Sequence, residues 1–299
     1  MFDFPGSYEA ARGRILLRPF GTMPAAVRYL ELSVGDRAEA FPAVVSASSE
    51  IGVAPVVTVE AGTAWLTEAT LAGWGIDAQQ VLSDALSGAS GLPIDVRPVG
   101  EGAFLVHGEA FSGAVWAAPQ LVSGLGVHGH PVIWNAGRTL TLVTGDQSPR
   151  GFQAALGVLN EQLGSGVELE TLTPHRAEGA AWTPIAWPST TPAGSLHEAE
   201  RLFARHWYER QRGPLRTFYE QQGVDMNVPE YRVMKSPEGR VVSACAYVAG
   251  ISNAVPDVDT VLEVQADGST RQLSWDDLRV HAQPPLQGLN TRPPRWLAQ

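Results

Sequence analysis

The sequence predicts an α+β (mixed α/β) fold in which antiparallel hairpins are interspersed with helices, and three observations predict it. Apolar, β-branched segments repeatedly lie on either side of short turns, as hairpins require. Between them the hydrophobic period switches to that of a helix, most clearly over 76–87 and from 149 to 163. The chain has 299 residues, 44% apolar and 17% charged, which suits a globular protein able to bury a core without staples.

The N-terminal third reads as strand-rich. Residues 14–20 (RILLRPF) and 27–34 (VRYLELSV) carry β-branched and aromatic side chains in partial alternation and are expected as strands. Residues 53–60 (VAPVVTVE) are a third strand, with Pro55 placing its start at a sheet edge. Residues 76–87 then form a helix capped by Asp77, with Ile76, Val81, Leu82 and Leu86 close to one face and Gly88 and Gly91 stopping it.

Strands near 94–99 and 103–107 enclose a turn at Gly100–Gly102. A weaker helix over 110–124 must kink or divide at Pro119. Residues 131–135 and 138–144 flank Ala136–Gly137, a hairpin signal. The clearest helix starts at N-cap Ser148 with Pro149 in its first position. It buries Phe152, Leu156, Leu159 and Leu163, and ends at Gly164.

Residues 171–196 are rich in Thr, Pro, Ser and Ala. Pro188–Gly194 is the best linker in the chain and divides it into an N-terminal domain, 1–188, and a C-terminal helix-plus-hairpins module, 189–299. A long surface loop packed by Trp182 and Trp187 is the other reading of this stretch. The longest helical pattern, Leu196 to about Gln222, should break or kink at Gly213–Pro214. Hairpins follow around Ser-Pro-Glu-Gly (between 231–235 and 240–248) and Ala-Asp-Gly-Ser (between 260–265 and 270–273). A short helix begins at Trp275, and the Pro-rich tail from Pro284 is expected to lie extended over the body.

The net charge of −10 disfavours nonspecific binding to nucleic acid and to anionic lipid, both of which need surplus positive charge. Lys235 is the only lysine, and the plentiful arginine, alanine and glycine read as high-GC codon bias and not as function. Cys245 is the only cysteine, so no intrachain disulfide forms, and its setting (VVSACAYV) is that of a buried strand and an inert thiol. The N-terminus has neither the basic nor the apolar segment of a signal peptide, and no run reaches the roughly 18 apolar residues of a membrane helix. The expected location is the cytoplasm.

No nucleophile elbow, dinucleotide fingerprint or P-loop occurs in the chain. His128-Gly-His130 could present two rings to one ion if it were a strand, but the third and fourth ligands are missing, and loop histidines are the simpler reading. Asp257-Val-Asp259 could chelate a hard cation or divide into acid and base. A turn leading from Pro256 into a strand is the better reading of this pair. Asp276-Asp277 fits a helix start. The arginines and aromatics from Arg201 to Arg216 look like a nucleic-acid patch, yet Glu198, Glu200, Glu209 and Glu220 interleave with them, as on a solvated helix face. Nine tryptophans are spread along the chain, and an exposed subset could anchor a partner.

The segment Trp65–Ala85, with Trp74-Gly75-Ile76 at a helix entry, the strand pair over Pro131–Val143 and the helix after it resemble the YtpQ-like family of uncharacterised bacterial proteins over roughly residues 25–190. The turn Asn135-Ala-Gly-Arg138 departs from the family's more polar one. The resemblance implies a mixed α/β fold, no known activity and no catalytic residue. Tyr208, Gln211, Leu215 and Pro256–Asp259 look like an added module seen in similar proteins.

Two functions remain open at this point. The first is a non-catalytic protein that binds another protein, as an adaptor, a chaperone-like factor or an immunity-type inhibitor; its acidity suits a basic partner. It needs no cofactor. The second is a hydrolase or metal-dependent enzyme assembled from distant residues, with His128, His130, Asp257 and Asp259 as the groups to test. A small-ligand sensor would need a deep apolar pocket. The oligomeric state is not set by the sequence.

Overall fold

The computed structural model describes residues 3–89, 94–137, 139–281 and 292–298. The chain divides into two compact units. One comprises Met1–Thr22 with Ala38–Pro192, the other Met23–Arg37 with Ala193–Gln299. Residues 23–37, expected within the 1–188 block, therefore belong to the second unit.

In chain order the first elements are α1 (Tyr8–Ala11), β1 (Ile15–Gly21) and α2 (Thr22–Val34), the last belonging to the second unit. The first unit continues with β2 (Val45–Ser46), β3 (Ile51–Val59), β4 (Gly62–Trp65), α3 (Glu68–Gly73), α4 (Ala78–Ala89), β5 (Asp95–Gly100) and β6 (Ala103–His107). It closes with α5 (Glu109–Ala117), β7 (Pro131–Gly137), β8 (Leu140–Gly145), α6 (Pro149–Gly164), β9 (His175–Glu178) and β10 (Ala181–Pro184).

These strands make two antiparallel sheets. In the smaller, β3 is central, with β1 along one side and β2 and β4 sharing the other. Pro55 is thus not at an edge. Its carbonyl accepts from Leu66 N on the side shared by β2 and β4, and its ring nitrogen falls in the gap between them, where no donor is needed. The larger sheet runs β10-β9-β7-β8-β6-β5. The expected turn at Ala136–Gly137 lies within β7, where the register shifts; Arg138 is outside the described residues.

Helix α5 buries Phe111, Ala114, Val115 and Trp116 in a core shared with Leu17, Ile51, Val53, Val106, Ile133, Val143 and Trp182. It lies so close to β1 that a Cβ on Gly113 would come within 2.2 Å of the Leu17 carbonyl. As expected, Ser148 caps α6, its hydroxyl accepting from Gly151 N at 3.2 Å, and Phe152, Leu156, Leu159 and Leu163 are buried. The stretch 171–196 is not a plain loop: it holds the β9–β10 hairpin, and Trp182 donates to Val115 O.

The second unit contains α2, α7 (Ala193–Gln221), β11 (Arg232–Lys235), β12 (Val241–Val248), β13 (Asn253–Pro256), β14 (Thr260–Val264), β15 (Thr270–Ser274), α8 (Trp275–His281) and β16 (Arg295–Ala298). The order β11-β12-β14-β15 makes one sheet, in which β12 and β14 run parallel because β13 intervenes and leaves to pair with β16.

One expectation fails here, and of the break or kink expected at Pro214 the break does not occur. Residues 27–34 are helical in α2, not a strand: Val27 and Leu30 follow a helical spacing and are buried, Leu30 against Leu215, Tyr219, Val228 and Ala254. Helix α7 runs unbroken through Pro214. A proline inside a helix costs about 3 kcal/mol. Burial of Tyr208, Gln211, Leu215 and Tyr219 along one stripe offsets that cost. Most of the Pro-rich tail, residues 282–291, lies outside the described residues, and its end is strand β16.

Candidate functional site

The second unit gathers its polar residues around Asp259, at the entry to β14. Helix α7 supplies Arg201, whose Nε and Nη2 reach the two carboxylate oxygens at 2.8 and 2.5 Å. Strand β12 supplies Ser243, whose backbone N and hydroxyl both donate to Oδ2, at 2.7 and 2.8 Å, while its oxygen accepts from Asp259 N at 2.9 Å. His197, one turn before Arg201 on α7, holds Nε2 3.6 Å from Oδ2, an ion pair when protonated.

Burial alone would raise the Asp259 pKa, but the Arg201 guanidinium and the two Ser243 donors outweigh it and hold the carboxyl at about 2. Burial pushes the neighbouring Asp257 the other way, upward, against the pull of Arg201 and Arg279. The residue as a whole is exposed, which limits that shift.

Serine, histidine and aspartate thus converge, but not as a nucleophilic triad. The Ser243 hydroxyl is buried and bonded to the aspartate, not to the imidazole. A carboxylate that titrates near 2 is too weak a base to take its proton. What the arrangement does is fasten α7 to β12 and β14.

His128 and His130 lie in the first unit and Asp257 and Asp259 in the second. The histidines sit in a loop knitted to the turn after β8. Asp146 N donates to His130 O, Gln147 N to His128 O, and His130 N to the Asp146 carboxylate at 2.9 Å. A Cβ on Gly129, at φ +88°, would fall 2.0 Å from that carboxylate oxygen, so only glycine fits. The loop is a turn and not the strand that would put both rings on one side. Among the described residues no group of three or more His, Cys, Asp and Glu is placed to hold a metal ion.

The remaining candidates resolve similarly. Cys245 is buried, and burial pushes its thiol up to about 12. On α7, Arg210 holds the Glu31 carboxylate through Nε and Nη2, Arg205 pairs with Glu209, and Arg212 donates to Val228 O. No tryptophan is exposed. Among the described residues the large apolar side chains that reach solvent are Tyr29, Val224, Met234, Val248 and Ile251 in the second unit and Phe4 and Val44 in the first.

Among the buried polar residues that the sequence does not single out are His175 and Arg295. His175, wholly buried, gives Nδ1 to Thr173 O at 2.9 Å and stands edge-on to Trp116 at 5.0 Å. Its Nε2 finds no hydrogen-bond partner among the described residues, and desolvation lowers its pKa. Arg295 is also wholly buried, and its donors go to Gln211 Oε1 and to the carbonyls of Pro229, Ala254 and Tyr208. Desolvation lowers its pKa to about 10. A single arginine inside an apolar Trp-Leu-Ala strand was the available signal.

The charge is unevenly shared. The first unit has seven arginines against sixteen acids, net −9, and the second fourteen basic residues against fifteen acids, net −1. No helix of the described residues is long and apolar enough to cross a membrane. Compared with family models, curated proteins and solved structures, the chain finds no match in any of the three.

Proposed function

We propose that this chain works by binding another protein, a basic one, in the cytoplasm, and not by catalysing a reaction. One observation carries the reading: the Asp259 and Cys245 side chains are already committed to the fold, and the loop that carries His128 and His130 is held through its backbone. Asp259 is saturated by Arg201 and Ser243, the His128–His130 loop is knitted to Asp146 and Gln147, and Cys245 is buried. The excess of acids in the first unit supports a basic partner, because complementary fields speed encounter and reject like-charged competitors. Kinship with the YtpQ-like family is part of the same proposal and adds no activity to it.

The test is affinity capture of the tagged chain from its source cells at low and high salt. The expected result is one stoichiometric basic partner that dissociates as salt rises. Rebinding of the purified pair should weaken by about tenfold when the exposed Glu9, Glu39 and Glu60 are together changed to Gln. Recovery of no stoichiometric partner at either salt concentration would overturn the reading.

A further inference from the structure

The chain's last described residues are held in the second unit as a ligand strand is held. Strand β16 pairs antiparallel with β13, from Asn253↔Ala298 to Pro256↔Arg295, and among the described residues these two form a sheet of their own. Helix α7 reads three consecutive tail residues from the other side. Gln211 Nε2 donates to Pro293 O at 2.8 Å, the Tyr208 hydroxyl donates to Pro294 O at 2.6 Å, and Gln211 Oε1 accepts from Arg295 Nε at 2.7 Å. The guanidinium also lies over the Tyr208 ring at 5.1 Å, and that ring stacks on Tyr231. Trp296 meets Trp275 edge-on at 5.9 Å.

Arg295 is the telling residue. Among the described residues every hydrogen-bond acceptor around it is neutral, a side-chain amide or a backbone carbonyl. A buried cation without a carboxylate is expensive, and an apolar side chain of similar volume commonly serves stability as well or better. What the arginine adds is discrimination. Its fixed fork of donors matches this set of carbonyls and no shorter or differently shaped side chain does. Backbone pairing for affinity and one deep side-chain pocket for selectivity is how proteins recognise extended peptides.

We propose that the groove between β13 and α7 is a strand-binding site which the chain's own tail occupies, and that its partner is a second polypeptide presenting an extended Pro-Pro-Arg-aromatic-aliphatic segment. The site goes beyond the acidic surface of the first unit, because it holds its ligand through neutral acceptors and a strand pairing that reads sequence, so either proposal can fail alone. The tail competes as a ligand of its own chain, an intramolecular advantage that a free segment lacks. A partner gains entry when the tail is cut or displaced, and the groove is masked until then.

The test uses the full chain with a protease recognition sequence placed within residues 284–290, and a fluorescent peptide of residues 292–298 as the probe. The uncut chain should not bind the peptide. The cut chain should exchange its tail for one peptide per molecule, seen by anisotropy and native mass spectrometry. A peptide carrying Arg295→Ala should bind about 30-fold more weakly, and Arg295→Lys should not restore affinity. If cutting unfolds the second unit, restoration of its circular dichroism by excess peptide supports the proposal. A cut, folded chain that takes up no peptide, equal binding of the Arg295→Ala peptide, or unfolding that peptide does not reverse would each overturn it. Uncut chains found as a tail-exchanged dimer would make a second copy the occupant and overturn the self-masked form.

Discussion

Arg201 holds Asp259 with both Nε and Nη2 across 58 positions of sequence, and that one contact ties the longest helix of the second unit to its sheet. The pair is about three-quarters shielded on each side, 25% and 24% exposed. Asp259→Asn keeps the shape but weakens the grip on Arg201 and on both Ser243 donors. It should cost about 2 kcal/mol, read from the urea midpoint of the second unit.

The same carboxylate sets an acid limit. Its folded pKa of about 2 lies below the ordinary 3.8, so the unfolded chain takes up the proton first. Its stabilising contribution is complete above the ordinary value and is lost as pH falls through it toward the folded one. Urea midpoints measured between these pH values should fall steeply for the wild type and less steeply for Asp259→Asn.

His175 acts in the first unit and at higher pH. Desolvation lowers its pKa from 6.5, against the opposing pulls of Thr173 O and Glu50. Again the unfolded chain binds the proton first, so stability is full above the ordinary value and declines as pH drops below it, by at most about 1.4 kcal/mol per pH unit. His175→Gln should flatten that slope in denaturation curves of the first unit, and an unchanged slope would remove His175 as its source.

Two glycine substitutions should have opposite signs. Gly113→Ala drives a methyl group into the Leu17 backbone and should destabilise the first unit by about 3 kcal/mol or more. Gly157 lies on the exposed side of α6, and a Cβ placed there would meet nothing within 4 Å. Gly157→Ala should therefore raise stability by about 0.5–1 kcal/mol. Thermal melts of both variants test the packing of α5 on β1 and the open face of α6.

The Cys245 thiol should resist Ellman's reagent at pH 8 in the native protein and react at once in guanidinium, since its pKa near 12 and its burial leave almost no accessible thiolate. Rapid labelling of the folded chain would contradict its place in the core with Tyr208, Tyr231 and Tyr247.

Local rules account for the elements that the sequence revealed. Ser148-Pro149 announces α6 because capping needs only adjacent residues, and the turns Ser-Pro-Glu-Gly and Ala-Asp-Gly-Ser lie between the strands expected around them. The misreadings share a cause in distant partners. Residues 27–34 carry β-forming side chains, yet Leu30 is buried by Leu215 and Tyr219, far along the chain. Pro214 breaks a helix only when tertiary burial does not oppose it, and here Tyr208, Gln211, Leu215 and Tyr219 do. The hairpin of β9 and β10 hides in a Thr- and Pro-rich stretch whose composition says loop. At the Asp259 cluster the turn-and-strand setting of the acidic pair was readable, whereas its ligands Arg201 and Ser243 come from other elements and carry no spacing signal.

The assembly of the second unit from Met23–Arg37 and Ala193–Gln299 has a consequence for synthesis. Helix α2 leaves the ribosome before its partners: Arg210, which pairs with Glu31, and Leu215, which covers Leu30, emerge roughly 180 positions later. At about 5–20 residues per second, its apolar stripe waits roughly ten to thirty-five seconds without its nascent-chain neighbours. Chaperone capture of stalled chains, in the interval before Leu215 is translated, would be strongest at this segment, and recombinant fragments that start at residue 193 would be born without it.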